Sequence, residues 1–189
     1  KQVEILKSSL KGYSEGRLSW RVDADYIWTG RSKYLFRADT IDNGELYDAD
    51  GYVIADELTA NKLRVNSKSK TLSAYDGVTV RFIKKEDRQH KTGEQAEPTA
   101  NIYIEADQLR YYEANQKAFI SQGVKIIQKD ATILPKGEIV IDTNKNIASI
   151  KDGFVMESET FIVSGNTMEI LLEQNLSKMS GDLRATRKT

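Results

Sequence analysis

The segment LSAYDGVTVRF (residues 72–82) decides the fold, because it sets a glycine between two runs of alternating apolar residues. The same pattern returns as AFISQGVKIIQ (118–128), ASIKDGFVMES (148–158) and LSKMSGDLRAT (176–186). When the glycines of these segments are aligned, apolar residues share the columns on both sides. Repetition of this kind indicates one supersecondary unit that stacks on itself around a continuous apolar interior.

The residues around these segments also alternate between apolar and polar side chains, which is typical of strands with one buried face. LSWRVDA (18–24) and NIYIEA (101–106) are the clearest cases outside the repeats. Turn-forming residues separate the strands, including Asp42-Asn43-Gly44, Asn66–Lys70 and Asp152-Gly153. A parallel crossover needs a dozen or more residues, so turns this short predict antiparallel hairpins.

One stretch departs from the pattern. Residues 84–99 contain no large apolar side chain and widen the interval between Gly77 and Gly123. Without this segment the repeat resumes in phase, so we expect a solvated loop at 84–99 rather than a domain linker. The sequence therefore predicts one continuous β domain over residues 1–189.

Composition excludes several classes of function. Of the 189 residues, 39% are hydrophobic and 30% are charged, which fits strands with one wet face. The 28 basic residues balance the 28 acidic ones, so no global field favours a nucleic acid partner. Cysteine is absent, which excludes disulfides and thiolate chemistry. No apolar run approaches the ~20 residues of a membrane span, and because the chain begins with Lys we expect that a preceding segment was removed.

A search for catalytic and metal-binding residues returns almost nothing. His90 is the only histidine and lies in the polar segment, so neither a histidine-based triad nor a multi-histidine metal site can form. The Asp23/Asp25 pair and the Asp48/Asp50 pair resemble fragments of calcium loops, but they lack the further oxygen ligands that calcium needs. A glycosidase pair among the other carboxylates stays open, although no spacing selects one. We therefore expect no catalytic residue, no metal and no cofactor.

The apolar columns are the remaining candidate site. They fit a filled β-sandwich core, and they fit equally a slot that holds an acyl chain, because hydrocarbon buried there gains ~0.8 kcal/mol per methylene. Periodicity does not distinguish the two. Trp20 belongs to the same face and is expected in the core. The residues expected to line the interior are Leu63, Val65, Leu72, Ala74, Val78, Val80, Leu109, Ile120, Val124, Ile126, Ile139 and Ile141.

Several segments together resemble the periplasmic domains of the LptC proteins, which belong with LptA to the OstA-like family of lipopolysaccharide transport. The resemblance rests on EGRLSWRVDAD (15–25), on GELYDADGYVIADELTANKLRVNSKSKTLSAYDGVTVRF (44–82), on QLRYYEANQKAFISQGVKIIQ (108–128) and on FIVSGNTMEILLEQNLSKMSG (161–181). It covers roughly residues 15–184. The polar segment at 84–99 departs from the compact hairpin of the family.

The resemblance implies a single twisted, slightly open antiparallel β-jellyroll whose interior takes the acyl chains of lipopolysaccharide. It also implies a non-enzymatic relay in the periplasm, tethered to the inner membrane by an N-terminal segment. Its partners would be the inner-membrane lipopolysaccharide ABC transporter upstream and LptA downstream, joined by edge-strand pairing. We expect the docking edge for LptA at Met168, Ile170 and Leu172.

Other classes of function stay open on the sequence. The chain fits the soluble bridge protein LptA, although the Gly-x-x-x-Trp start favours LptC. From a different class, a structural β-solenoid or adhesin stalk would have the same periodicity with a solid core and no ligand. A polysaccharide-acting enzyme on a β scaffold is the third alternative.

Overall fold

The computed structural model describes residues 3–83, 101–172 and 176–189. They form 16 strands in one sheet, and every pairing among them is antiparallel. The strands are β1 (Val3–Ser14), β2 (Arg17–Thr29), β3 (Leu35–Tyr47), β4 (Val53–Asn66), β5 (Thr71–Ile83), β6 (Asn101–Tyr112), β7 (Lys117–Ser121), β8 (Lys125–Gln128), β9 (Ala131–Pro135), β10 (Ile139–Asp142), β11 (Ile147–Ile150), β12 (Phe154–Ser158), β13 (Phe161–Gly165), β14 (Thr167–Leu171), β15 (Leu176–Ser180) and β16 (Arg184–Arg187).

The sheet divides at β6. Residues 108–112 of this strand pair with β7, whereas residues 103–105 pair with β8. From there one half of the sheet continues as β7-β10-β11-β14-β15 and the other as β8-β9-β12-β13-β16. We call these half A and half B. The six long strands, β1 to β6, run through both halves. Among the described strands β1 pairs only with β2, so the sheet is open.

The repeated glycines mark the line along which the sheet folds from one half into the other. Gly77, Gly123, Gly153 and Gly181 have φ values of 80°, 67°, 99° and 79°. L-residues rarely adopt this backbone conformation, whereas glycine enters it without a steric penalty. At this corner line the backbone N–H of Gly153 donates to the Asn166 carbonyl at 2.8 Å, and the Gly153 carbonyl accepts from Lys136 N–H at 2.9 Å.

The corner line explains the repeat. After Gly123 the chain forms one hairpin in half B, crosses the corner, forms one hairpin in half A, and reaches Gly153, where the cycle begins again. Each unit thus adds two strands to each half and keeps its apolar residues on the inner face of both. The sequence prediction of repeated strand–turn–strand units is confirmed, as is the all-β, antiparallel, slightly open fold.

Two predicted turns were wrong. Asp42-Asn43-Gly44 lies inside the long strand β3. Gly44 faces inward, and Leu58 occupies the space that a side chain at this position would need. A Cβ added at Gly44 would lie 3.0 Å from the Leu58 Cβ atom. Asp152-Gly153 is a corner between the halves and not a hairpin reversal. The single-domain boundary 1–189 stays a prediction, and residues 84–99 lie outside the described part of the chain.

The inner faces of both halves form one hydrophobic cluster. It extends from Trp20 and Val22 in β2 to Met168 and Ile170 in β14. The alternation predicted for LSWRVDA and NIYIEA holds, since Trp20, Val22 and Ala24 in the first and Ile102, Ile104 and Ala106 in the second are buried. None of the described residues forms a helix that could span a membrane.

Candidate functional site

The interior predicted from the apolar columns exists as a structural feature. The structure buries every one of the residues expected to line it, and none has more than 5% of its surface exposed: Leu63, Val65, Leu72, Ala74, Val78, Val80, Leu109, Ile120, Val124, Ile126, Ile139 and Ile141. Half A and half B contribute to the same cluster. That these residues contact a lipid stays a prediction.

The interior is packed rather than hollow around these residues. These side chains have almost no solvent-accessible surface, so other atoms contact them on all sides, as in an ordinary protein core. Ile126, for example, is fully buried between its cross-strand neighbours Ile104 and Ile133. An acyl chain can therefore enter only if the two halves move apart.

The hairpin turns of half A are joined to one another by backbone hydrogen bonds. Ser67 N–H donates to the Tyr34 carbonyl at 2.9 Å, and Thr143 N–H donates to the Gln116 carbonyl at 2.9 Å. These turns form one rim of the folded sheet, opposite the corner line. Since the corner and this rim are each continuous, separation of the halves has to occur between the rim of half A and the hairpins of half B.

A direct contact between the halves occurs at this rim, near the N-terminal end. The Trp20 indole N–H donates a hydrogen bond to Glu113 Oε1 at 2.6 Å. Trp20 lies in the half-B part of β2, and Glu113 lies in the β6–β7 turn of half A. The indole ring covers Gly12 of β1, where any side chain would overlap the ring. Together these residues close the N-terminal end of the interior.

Glu113 is in an unfavourable environment for a carboxylate. Burial raises its pKa above the ordinary value, while the Trp20 hydrogen bond and the nearby Lys70 charge lower it. Its second oxygen, Oε2, is buried and has no hydrogen-bond partner among the described residues. A buried acceptor without a partner destabilises the folded state.

We expect Glu113→Gln to stabilise the protein at neutral pH. Because the folded-state pKa is raised, the native state binds a proton more tightly than the unfolded state, so wild-type stability falls as pH rises from the ordinary Glu pKa of ~4.3 through the folded value. The neutral amide removes this penalty and keeps an acceptor for Trp20. Urea unfolding at neutral pH and at about pH 4 measures the effect, which should vanish at the lower pH.

Glu105→Gln, on the exposed outer face, is the matched control for that experiment. An equal gain from both variants at neutral pH would show that the stabilisation comes from general charge reduction and not from the Trp20 contact.

The docking edge for LptA was predicted on a strand that is not at the edge of the sheet. Met168 and Ile170 lie in β14, which pairs with β11 on one side and β15 on the other, so this strand is internal to the sheet. Leu172 follows β14 directly and is buried like the other two. The error arose because the chain returns once more as β15, whose outer side pairs with no described strand.

The C-terminal end of the interior differs from the N-terminal end. It is bounded by β15 in half A and by β16 in half B. The inward-facing Met156, Val163 and Met179 pack against the core but are only partly buried. Leu183, which precedes β16, packs over Gly165 of β13 at this end, with 52% of its own surface exposed.

The acidic residues singled out in the sequence do not form a metal site. Asp23, Asp25 and Asp42 lie on the outer face of β2 and β3, and the pKa of Asp42 is raised chiefly by its hydrogen bond with Asp25. Asp48 is a turn acid as expected, since its side chain accepts from Asp50 N–H and Tyr52 N–H at 2.9 Å. Within the described ranges no group of three His, Asp or Glu residues is placed to hold a metal ion.

Two functional candidates were missed by sequence reasoning. The sequence pattern selects neither Glu113 nor Gly12 as a site residue, but the structure brings both against Trp20. A glycine at an inward position of an otherwise alternating strand was the available signal, because it indicates close approach of another group. Nothing in the sequence links Glu113 to a tryptophan 93 residues away.

Among solved structures, the chain is similar in fold to LptH from Pseudomonas aeruginosa. That protein is described as the LptA-homologous periplasmic component of the conserved lipopolysaccharide transport device. The two chains are 14% identical, with a TM-score of 0.49 over 70% of this chain and 81% of that chain. No protein-family model matches the chain, and no curated protein matches it in sequence.

Proposed function

We propose that this chain is a non-enzymatic lipopolysaccharide-binding relay of the periplasm. The observation that carries the proposal is the apolar interior, which runs through both halves of an open sheet and ends at β15 and β16, where its inward-facing side chains are only partly buried. A core that served stability alone would gain from being closed at both ends. The repeated Gly-Val units and the resemblance of their order to the LptC proteins support the same function.

The relay would accept lipid from the inner-membrane lipopolysaccharide ABC transporter and pass it to LptA. We place the entrance at the β1 end and the exit at the β15 and β16 end. We assign the chain to LptC rather than LptA on its Gly16-x-x-x-Trp20 start, with a tether to the inner membrane. Energy for movement would come from the transporter, since the relay itself performs no chemistry.

The energetics require the interior to change shape. Each methylene moved from water into the interior gains ~0.8 kcal/mol, but the side-chain contacts of the packed core have to be given up while the halves part. A chain of several methylenes can offset that loss. The bound state would then be a wider sheet with the same strand pairing, opened between the rims.

The test uses a photo-crosslinking amino acid at inward and outward positions. A crosslinker at Val80 or Ile126, both fully inside, should capture lipopolysaccharide when the transporter is active in cells. The neighbouring Thr79 and Lys125 face outward on the same two strands and are the matched controls. Capture from neither inner position would overturn the proposal.

A ligand-free structural stalk is the second candidate, and the filled interior favours it. The same experiment distinguishes the two, because a stalk with a solid core yields no lipid adduct from any position. Purified protein heated through unfolding with and without lipopolysaccharide gives an independent measure, since a ligand of the native state raises the unfolding temperature.

With β15 as the outer strand of half A, a separate prediction about LptA binding follows. Proline removes a backbone N–H donor, so proline on the free side of β15 should weaken strand addition there. N–H groups of neighbouring residues point to opposite sides, hence Ser177→Pro and Lys178→Pro are tested separately and one should act. We expect loss of LptA binding with lipid crosslinking at Val80 retained. Normal LptA binding by both variants, and by Thr186→Pro in β16, would place the contact at the β1 end instead.

A further inference from the structure

A polar cavity of about 530 Å³ lies on the outer face of half A, beside β4, β5, β6 and the end of β7. Its volume falls within the ~300–1,000 Å³ of pockets that bind small molecules. None of its lining residues belongs to the hydrophobic core cluster, so the cavity is separate from the apolar interior. Besides Arg64 it is lined by Ser73, Tyr75, Asp76, Asp107, Gln108 and Gln122.

The lining offers the groups that recognise a saccharide. Amide side chains both donate and accept hydrogen bonds, and carboxylates accept them, so together they match the hydroxyl groups of a sugar. The half-buried ring of Tyr75 adds an aromatic surface to the wall, and an aromatic ring with a polar tip packs against ligands that are partly apolar and partly wet.

One end of the cavity carries two arginines that face each other. Arg64 lines the cavity, and Arg37 on β3 is its cross-strand partner. Both side chains are exposed on the outer face, since Ala38 and Leu63 next to them point into the core. Like charges directly opposite each other in a sheet destabilise it. Neither arginine forms an ion pair with another residue in the described part of the chain.

The positive charge continues from this pair to the rim of half A. The Nζ atoms of Lys33 and Lys68 lie 5.3 and 5.5 Å from the centroid of the Tyr34 ring. These lysines belong to the turns 30–34 and 67–70, which contain no acidic residue. A surface of one sign concentrates ligands of the opposite sign. The outer face of half A is therefore prepared for an anion beside the polar cavity.

Phosphate is the anion that an arginine pair recognises best, because a guanidinium group donates two parallel hydrogen bonds to it. The Arg64 Cζ atom also lies 5.4 Å from the centroid of the Tyr75 ring, so the cation and the aromatic surface are adjacent. A ligand that fits both would carry a phosphate group on a sugar ring.

We propose that the outer face of half A binds a phosphorylated saccharide, with Arg37 and Arg64 on the phosphate and Tyr75 against the sugar ring. The site lies outside the apolar interior and performs a separate task. In naming lipopolysaccharide as the source of the saccharide, the proposal rests on the proposed function, since acyl chains held between the two halves would leave the phosphorylated head group beside the rim of half A.

The first test uses lipopolysaccharide from which every acyl chain has been removed, so that the ligand cannot occupy the interior. Titration calorimetry with the purified chain should show saturable binding, at least tenfold weaker after the phosphate groups are removed from the same oligosaccharide. Equal binding of both forms would overturn the proposal. Full displacement by an equal concentration of inorganic phosphate, or tighter binding of a single-stranded oligonucleotide, would contradict the assignment to a saccharide.

The second test separates a binding role of the arginines from a structural one. Arg37→Gln or Arg64→Gln should weaken binding of the phosphorylated oligosaccharide about tenfold. Without ligand, the same variants should raise the unfolding temperature by about 1–2 °C, because they remove the repulsion between like charges. A lower unfolding temperature in either variant would show that the arginines stabilise the folded chain and would overturn their assignment.

Arg81→Gln is the matched control for the arginine variants. Arg81 lies on the outer face of half B, and its Nε atom donates to Asp56 Oδ1 at 2.6 Å. We expect this variant to lower the unfolding temperature and to leave oligosaccharide binding unchanged. A tenfold loss of binding here as well would mean that any reduction of positive charge weakens the interaction, which contradicts a site at Arg37 and Arg64.

The third test concerns the aromatic wall. Tyr75→Leu should weaken binding of the oligosaccharide several-fold, whereas Tyr103→Leu should not change it. Tyr103 is the comparison because it is also a tyrosine on the outer face, with 42% of its surface exposed, but it lies in half B. Equal affinities of the Tyr75 variant and the wild type would overturn the placement of the sugar ring.

The two proposals fail in distinguishable ways. Binding of the acyl-free oligosaccharide without capture of lipopolysaccharide at Val80 or Ile126 would leave the outer site established and the relay function refuted. Capture at those positions without binding of the oligosaccharide would leave the relay intact and refute the outer site.

Discussion

Replacing Ile126 by Glu is expected to lower the free energy of unfolding by roughly 3–5 kcal/mol and to abolish lipopolysaccharide transfer. Ile126 is fully buried between Ile104 and Ile133, and none of these neighbours can donate a hydrogen bond to a carboxylate from its side chain. An ionised group without a partner in such surroundings is strongly unfavourable. Denaturant unfolding and a transfer assay in cells measure the two effects.

Lys125→Glu is the matched control for this experiment. It places the same carboxylate one position earlier on β8, on the outer face, where a substitution is expected to change stability by no more than ~0.5 kcal/mol. A shift of one residue in a strand exchanges the two faces. Should Lys125→Glu prove more damaging than the Ile126 substitution, the facing of β8 in this structure would be refuted.

Gly153→Val is expected to destabilise the protein by about 1–3 kcal/mol, the usual range for a residue held in a disfavoured backbone conformation. Its φ of 99° is rarely accessible to a β-branched residue, and an added Cβ would lie 3.0 Å from the Lys136 side chain. Relaxation of the backbone would strain the Gly153–Asn166 hydrogen bond of the corner. Thermal and denaturant unfolding provide the measurement.

Gly30→Val offers the comparison for this second substitution. Gly30 follows β2, its φ is not positive, and an added Cβ would meet nothing within 4 Å. We expect a change close to zero there. A similar loss at both glycines would mean that the corner geometry is not what makes Gly153 necessary.

Alternation predicted the inward faces well because every second side chain of a strand points to the same face, wherever the strand lies in the sheet. Trp20 in β2 and Ile104 in β6 were assigned to the interior from their neighbours alone, and both are buried. The fold class followed from the same signal. Local sequence carries this information, since it depends only on which side of the pleat a residue occupies.

The corners could not be distinguished from hairpin turns for a physical reason. Both need backbone with positive φ, so Asp152-Gly153 and a tight reversal look alike in sequence. The difference lies in which strands pair afterwards, and that is decided by contacts far apart in the chain. The docking edge at Met168 failed similarly, because a late position in the sequence is not an outer position in a sheet.

The candidate site was only partly predictable. The interior positions could be listed because they repeat, whereas the Trp20–Glu113 contact occurs once and joins residues 93 apart. Whether the interior is filled was also beyond periodicity, since slot and core require the same apolar side chains. Packing of the two halves against each other decides that question.

The line of corner glycines has a consequence for the length of the molecule. Each stretch from one such glycine to the next, as from Gly123 to Gly153, lengthens both halves by two strands, which corresponds to about 10 Å at ordinary strand spacing. A partial insertion would turn apolar residues of later strands towards water, while a whole unit would leave every pairing intact. Duplication or loss of whole units would therefore change the length of the apolar interior in fixed increments. The number of corner glycines therefore gives the number of units and, with it, the length of the folded sheet.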